Sequence, residues 1–199
     1  MKKVFCMIAA NGSGKTAVIK TLIAKHQWMR VKIFGDETWD VIAPPWVNGN
    51  KSPEDKALIV GLYEQKKIGG GDRLERETFW AAMRVAAEYK GTNRIIVEAL
   101  KLTAPDYFHK LESFCRNSDF TLHTTLIKVD PMVAYKRHVL RAAPAATYPI
   151  EKVMERHTRA RYLYEIIQSD QKAVIDNSRD GETAIEDAAA EYLKVVFPD

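Results

Sequence analysis

A glycine-containing turn at residues 9–16 constrains this chain most, because it separates two different hydrophobic patterns. Before the turn, residues 4–9 form a short, continuous apolar run, which predicts a parallel strand buried on both faces. After it, apolar residues recur at helical spacing over residues 15–27. The chain therefore starts with a strand, a tight turn and a helix, and its other elements must pack around this unit.

The turn reads Ala9-Ala10-Asn11-Gly12-Ser13-Gly14-Lys15-Thr16 and fits the P-loop pattern, with alanine in the first glycine position. Glycines let successive backbone N–H groups point inward around a phosphate, and the following helix adds partial positive charge. In this pattern the lysine reaches the β- and γ-phosphates, and the hydroxyl of the last residue holds Mg²⁺. We therefore predict a site for ATP and Mg²⁺ formed by Asn11, Gly12, Ser13, Gly14, Lys15 and Thr16.

Short apolar strands alternate with helical segments along the rest of the chain. The predicted strands are residues 4–9, 31–34, 94–98, 121–129 and 173–176. The predicted helices are residues 15–27, 53–67, 74–89, 105–116, 132–142, 149–167 and 182–196, and the stretch 38–53 before the second helix is predicted as a loop. This alternation predicts an α/β fold: a five-stranded parallel sheet with helices on both faces and a helical lid. We expect a single domain over residues 1–199, with a substrate region at about 38–90 and the lid at about 132–161.

Composition excludes several other classes of protein. Apolar residues make up 46% of the chain, which is enough for a core of ordinary size. No apolar run approaches the roughly 18 residues that a membrane span needs. Cys6 and Cys115 cannot form a disulfide framework, so we expect both to be reduced and buried. These observations predict a cytoplasmic protein without membrane spans, and they leave its oligomeric state open.

A carboxylate close to the second predicted strand is a candidate catalytic base. In an open parallel sheet, ligands bind beyond the carboxyl ends of the strands. Asp36 follows the predicted strand at 31–34, and phosphoryl transfer to an alcohol needs a carboxylate beside the nucleophile. We therefore predict that Asp36 contacts the substrate hydroxyl and takes its proton, with Glu37 and Asp40 as competing candidates. The alternative is that Asp36 only caps the following turn.

A second carboxylate, Glu98, ends the apolar strand at 94–98. This is the place at which an acid of the Walker B type holds Mg²⁺ or its water shell. We therefore predict Glu98, together with Thr16, as the metal-binding pair. The alternative is a carboxylate that orients the substrate or caps the loop, and such a group would still face the same crevice.

Basic residues are concentrated in the predicted lid. Residues 132–161 contain seven lysines and arginines and two acidic residues. Arg137 and Arg141 are four residues apart, so they share one face of a helix. Because arginine stabilises the charge spread over a transferring phosphoryl group, we predict a catalytic role for both when the lid closes. The alternative is a solvated helix face.

Other residues are candidates for binding the phosphoryl acceptor. Trp39 lies in the loop after the candidate base and could stack a base or a sugar. Arg73 and Arg76 follow the flexible Gly69-Gly70-Gly71 segment, which suits an acceptor that carries a phosphate. The alternative for the tryptophan is an ordinary packing anchor.

The stretch Ala10-Asn11-Gly12-Ser13-Gly14-Lys15-Thr16 resembles the P-loop of small kinases of the zeta-toxin-like and adenylate-kinase-like group. The predicted order of elements over most of the chain is similar too, from an acidic second strand end to an arginine-bearing lid after the fourth strand. The resemblance implies a P-loop kinase fold and a transferase that uses ATP and magnesium. In zeta-toxin-like and polynucleotide-kinase-like enzymes an aspartate at this place accepts the proton of the substrate hydroxyl, and by resemblance that role passes to Asp36.

The leading hypothesis is a kinase that transfers the γ-phosphate of ATP to a hydroxyl. A sugar, a nucleotide derivative and a nucleic acid all stay open as acceptors, including a 5′-hydroxyl or a hydroxymethylated base in phage DNA. The first alternative is a nucleoside monophosphate kinase, in which Asp36 binds the acceptor and Arg73 and Arg76 clamp its phosphate. The second alternative is a nucleotide-binding switch without catalysis, because a P-loop alone determines binding and not turnover.

Overall fold

The computed structural model describes residues 1–25, 31–34, 37–39, 41–42, 56–61, 63, 74–89, 91–98, 100–141, 149–179 and 181–198. The strands in chain order are Lys2–Ile8 (β1), Val31–Phe34 (β2), Glu37–Trp39 (β3), Val41–Ile42 (β4), Lys56–Val60 (β5), Thr92–Glu98 (β6), Phe120–Lys128 (β7) and Gln171–Asp176 (β8). The helices are Lys15–Lys25 (α1), Arg76–Glu88 (α2), Pro105–Asn117 (α3), Pro131–Arg141 (α4), Ile150–Ile166 (α5) and Glu182–Val196 (α6).

The first strand of the chain is central in the main sheet. The order is β4-β5-β6-β1-β7-β8, and the five strands from β5 to β8 are parallel to one another. β4 pairs antiparallel with β5 at the edge. The predicted five-stranded parallel sheet is therefore confirmed, with one short antiparallel strand added.

Helices cover both faces of this sheet, as predicted. Alternate residues of β1 point to opposite faces, with Val4, Cys6 and Ile8 on one side and Phe5 and Met7 on the other, and all five are fully buried. The first face packs against α2, α3 and α5, and the second packs against α1 and α6. A continuous apolar run is what a strand covered on both faces requires, because neither face can carry polar side chains into solvent.

The predicted helix at 53–67 is wrong, because the structure places the strand β5 at Lys56–Val60. The proline and acidic residues at 53–55 are typical of a helix N-terminus, which is why the sequence predicts a helix here. Residues 57–60 are all apolar and buried on both sides. A short, continuous apolar run fits a buried strand and a buried helix equally well, and here pairing with β6 decides for the strand.

The strand predicted at 31–34 exists, but it does not belong to the main sheet. β2 pairs antiparallel with β3 in a separate two-stranded sheet. The second parallel strand of the main sheet is β5 instead, and the predicted loop at 38–53 contains the last two residues of β3 and all of β4. The strand before Asp36 therefore does not lie in the main sheet, and the prediction that it neighbours β1 is wrong. Asp36 itself lies outside the described residues.

The start of α4 is determined by local chemistry at the end of β7. Asp130 Oδ1 accepts hydrogen bonds from the backbone N–H groups of Met132 at 2.8 Å and Val133 at 3.2 Å, and Pro131 takes the first helical position. These are the preferred residue types for the two positions, since the carboxylate satisfies open N–H groups and proline has none to satisfy. α4 therefore begins at the edge of the sheet where the turn at 9–16 also lies.

Cys6 and Cys115 are free and buried, as predicted. Burial raises the pKa of the Cys115 thiol to about 12, and it raises the pKa of Cys6 well above its ordinary value. Both are therefore protonated at neutral pH and act as small apolar residues. Within the part of the chain that the structure describes, no helix combines the length and the apolar character needed to cross a bilayer.

His123 on β7 makes the stability of the fold depend on pH. Burial, followed by the charge of Lys3, lowers the pKa of this imidazole below 6.5. The unfolded chain then binds the proton more readily than the folded one, so the free energy of unfolding should fall as the pH drops below about 6.5. The variant His123→Phe keeps a ring against Phe5 and should lose part of this dependence. Urea unfolding of both proteins between pH 7.5 and 5.5 measures how the free energy of unfolding changes with pH. An equal change in the two proteins would contradict the prediction.

Candidate functional site

The turn between β1 and α1 has the backbone shape of an anion cradle. Gly12 and Gly14 have φ values of +78° and +88°, a region that other residues rarely adopt. The backbone N–H of Val18 donates to the carbonyl of Gly14 at 2.9 Å, so α1 starts immediately after the turn. The open N–H groups of the first helical turn therefore lie next to two residues of unusual backbone conformation, a combination that is typical of anion-binding sites in proteins.

Close contacts with neighbouring elements also require glycine at both positions. A Cβ on Gly12 would collide with the backbone carbonyl of Ala134 on α4. A Cβ on Gly14 would lie 2.6 Å from the side-chain amide nitrogen of Asn177 and 4.0 Å from Nη1 of Arg137. The turn is therefore packed tightly against α4 and against the end of β8.

Glu98 brings three side chains together at the end of β6. Its carboxylate is 0% exposed, and Oε1 accepts hydrogen bonds from the hydroxyls of Thr16 at 3.0 Å and Tyr63 at 3.2 Å. Oε2 lies 4.0 Å from Nζ of Lys15, whose side chain is 10% exposed. The structure thus places the predicted pair Thr16 and Glu98 in direct contact, with the predicted lysine beside them.

The donor set of this site fits a magnesium ion bound together with phosphate. A hydroxyl and a carboxylate are oxygen ligands, and Mg²⁺ is commonly held by one or two carboxylates with waters and substrate phosphates completing its shell. The described residues contain no group of three or more histidine, cysteine or acidic side chains that could hold a metal alone. In addition, Oγ of Ser13 is buried with no hydrogen-bond partner among the described residues, as expected of a donor whose acceptor is a ligand.

Arg137 lies beside the turn, but its guanidinium contacts the segment that follows β8. Nη1 donates to the carbonyl of Asn177 at 3.0 Å, and Nη2 donates to the carbonyl of Arg179. The arginine therefore connects α4 to this segment. Arg141 is the last residue of α4, and its side chain lies outside the described residues.

The predicted acceptor-binding residues are not assembled by the described part of the structure. Arg76 is exposed at the start of α2, with its guanidinium carbon 5.1 Å from the centre of the Tyr107 ring. Trp39 is described only as a backbone position in β3, as is Glu37. The positions outside the described residues are Asp36, Asp40 and Arg73. The roles assigned to all of these residues stay predictions.

Three residues of the site were not assigned by sequence reasoning. Tyr63 lies in the segment predicted as a helix, so nothing indicated its contact with Glu98. Asn177 follows the last predicted strand, and the structure shows its amide donating to the carbonyl of Ser13 at 2.8 Å. A general signal could have found Asn177, since polar residues that follow parallel strands meet at one edge of the sheet.

The third such residue is His157, which brings α5 to the turn. Burial lowers the pKa of its imidazole, whereas a hydrogen bond to the backbone of Asn11 and the nearby charge of Asp130 act in the opposite direction. Nothing in the sequence indicated this contact. The two helices of the predicted lid therefore both reach the turn, α4 through Ala134 and α5 through His157.

No protein-family model and no curated protein matches the chain. Among solved structures, an unliganded sugar kinase from a Janibacter species is similar over 100% of this chain and 97% of that chain, with 16% sequence identity and a TM-score of 0.42. At this level of similarity the likeness carries no argument about what this chain binds.

Substituting Gly12 should destabilise the protein more than substituting Gly181, which is a matched control. Gly181 has a φ of +113°, but a Cβ there would have its nearest neighbour at 3.9 Å. Gly181→Ala should therefore cost about 1–3 kcal/mol, and this cost comes from backbone strain alone. Gly12→Ala should cost at least about twice as much, because it adds a collision with the backbone of α4. Urea unfolding without nucleotide measures both, and equal losses would show that the turn does not pack against α4 as described.

Proposed function

We propose that the chain binds ATP with Mg²⁺ at residues 9–16 and transfers the γ-phosphate to a hydroxyl of an acceptor. The observation that carries this proposal is the carboxylate of Glu98, which is fully buried within reach of Lys15 and Thr16. A buried carboxylate is costly unless charges and hydrogen bonds compensate it, so such a group at the mouth of an anion cradle supports a functional role.

Each residue of the turn has a distinct part in binding. The open N–H groups at the start of α1 and the N–H groups of the turn surround the phosphates. Lys15 contributes a positive charge to the phosphate oxygens, and the buried hydroxyl of Ser13 donates to the same ligand. Thr16 and Glu98 hold the metal or its water shell. When bound there, Mg²⁺ would supply positive charge that offsets the charge of the phosphates.

Transfer also needs a base and a cover over the phosphates. Asp36 takes the proton of the acceptor hydroxyl in this proposal, and Glu37 and Asp40 compete for that role. The helices α4 and α5 form the lid, with Arg137 and Arg141 as its charged residues. Contacts of Ala134 and His157 with the turn support such a cover. Trp39, Arg73 and Arg76 are proposed to bind the acceptor, whose class a screen with labelled ATP would identify.

Removing the charge of Lys15 should abolish most of the nucleotide affinity. Lys15→Met should weaken binding of Mg·ATP by about tenfold or more, because a charge-assisted contact to phosphate is lost. Calorimetric titration measures the affinity. Lys25→Met is the matched control on the same helix, since Lys25 is half-exposed and pairs with Glu186 at 3.2 Å. If wild-type protein bound no Mg·ATP, or if both variants bound it normally, the proposed site would be refuted.

Neutralising Asp36 should stop transfer while ATP still binds. Asp36→Asn should lower the rate of phosphoryl transfer by about a hundredfold or more, the usual contribution of a general base, with little change in Mg·ATP affinity. Release of ADP with a panel of acceptors measures the rate. Glu37→Gln and Asp40→Asn are the matched controls, and a loss confined to one of them would move the base there. Turnover of nucleoside monophosphates by Asp36→Asn would favour the monophosphate kinase instead.

A further inference from the structure

We propose that Asn177 is a positioning residue for nucleotide binding. Its side-chain amide holds the carbonyl of Ser13 on one side of the turn and so directs the N–H of Gly14 to the other side, towards the phosphates. This inference rests on the function proposed above, and it assigns part of the nucleotide affinity to a residue that follows β8.

Asn177 is itself held firmly. Its side chain is 0% exposed, and Nδ2 donates to the carbonyl of Ser13 at 2.8 Å, although the two residues are 164 positions apart in the chain. Its backbone N–H donates to the carbonyl of Lys128 at 2.8 Å. Its backbone carbonyl accepts from Arg137 at 3.0 Å. The end of β7, α4 and the turn therefore all contact this one residue.

Peptide geometry converts this contact into an orientation of the cradle. The carbonyl of Ser13 and the N–H of Gly14 belong to one planar trans peptide group, in which the C=O and N–H bonds point in opposite directions. Because the carbonyl points towards Asn177, the N–H of Gly14 points away from it. Asn177 and Arg137 lie on the first side, so an anion bound by the N–H of Gly14 would lie on the second side.

Gly14 and Asn177 fit each other as a pair. The φ of +88° at Gly14 and the distance of 2.6 Å between a Cβ there and Nδ2 both require glycine. Oδ1 of Asn177 has no hydrogen-bond partner among the described residues, so the amide reaches the turn through Nδ2. A carbonyl neighbour requires a donor at this position, because two acceptors facing each other would leave both unsatisfied.

Asn177→Asp tests this orientation, because it preserves size and replaces the donor by an acceptor. At pH 8 the variant should bind Mg·ATP about tenfold more weakly than wild type, since a carboxylate would face the Ser13 carbonyl. As the pH falls to 5.5 the deficit should shrink, because burial favours the protonated carboxyl and its O–H can donate to that carbonyl. The measurement is the ratio of variant to wild-type affinity by calorimetry at each pH.

The ratio of variant to wild-type affinity reports the effect of the new carboxyl group alone. The charged groups around Asn177 include Arg137 and Arg179, whose guanidinium groups are charged at every pH of this range. They also include Asp176, which pairs with Lys128 at 3.7 Å. A hydrogen bond from Ser178 holds the pKa of Asp176 below its ordinary value, so this carboxylate stays ionised in both proteins.

His157 on α5, which lies beside Asn11, titrates in both proteins, and the phosphates of the nucleotide do so too. Their effects on affinity therefore cancel in the ratio. If the side chain of Asn177 only filled space, Asn177→Asp would not recover its affinity for Mg·ATP in acid.

Two further variants keep the result decisive. Asn117→Asp makes the same chemical change at the exposed end of α3 and should bind as wild type does. Asn177→Ala removes the donor without adding charge, and it should bind Mg·ATP about threefold to tenfold more weakly than wild type at every pH. This variant provides the test if Asn177→Asp fails to fold. Thermal unfolding checks that each variant is folded.

The possible outcomes separate this inference from the proposed function. If wild-type protein binds Mg·ATP and Lys15→Met does not, the proposed site stands. Unchanged binding by Asn177→Asp and Asn177→Ala at pH 8, or an Asn177→Asp deficit that persists in acid, would then overturn the role of Asn177 alone. If the wild-type protein binds no nucleotide, both proposals fail together.

Discussion

The rest of this structure depends on the burial of β1 from both sides. Residues 4–8 of this strand are apolar and fully buried, and the chain leaves the buried strand at the turn of residues 9–16. Two strands pair with β1 and two helices cover one of its faces, and these neighbours bring their own ends to the same edge of the sheet. The turn is therefore surrounded by groups from distant parts of the chain.

Tight packing at this edge gives the candidate site its shape. Gly12 contacts the backbone of α4, Gly14 contacts Asn177, and Glu98 lies under Lys15 and Thr16. Each of these contacts joins the turn to a different element. A loop held at several points loses little conformational freedom when a ligand binds, and such preorganisation is an economical way to gain affinity.

The region between α1 and α2 shows where sequence patterns become ambiguous. Residues 57–60 form an apolar run that fits a strand or a buried helix, and the proline and acids before it favoured the wrong choice. Pairing with β6 resolves the ambiguity, and β2 then has no place in the main sheet. Secondary-structure propensity is a weak local signal. Pairing with a neighbouring strand that has open N–H and C=O groups can outweigh it.

Patterns in the amino-acid sequence were enough to predict the unit of β1, turn and α1, four of the five parallel strands, and the nearness of Thr16 to Glu98. These follow from short-range patterns and from one geometric rule, since the carboxyl ends of parallel strands meet at one edge. Three-dimensional packing was needed to establish that β5 is the second parallel strand, that Tyr63 contacts Glu98, and that Asn177 and Arg137 meet beside Gly14. Those contacts join residues far apart in the chain, and their partners are selected by burial and hydrogen-bond satisfaction in three dimensions, which no local pattern encodes.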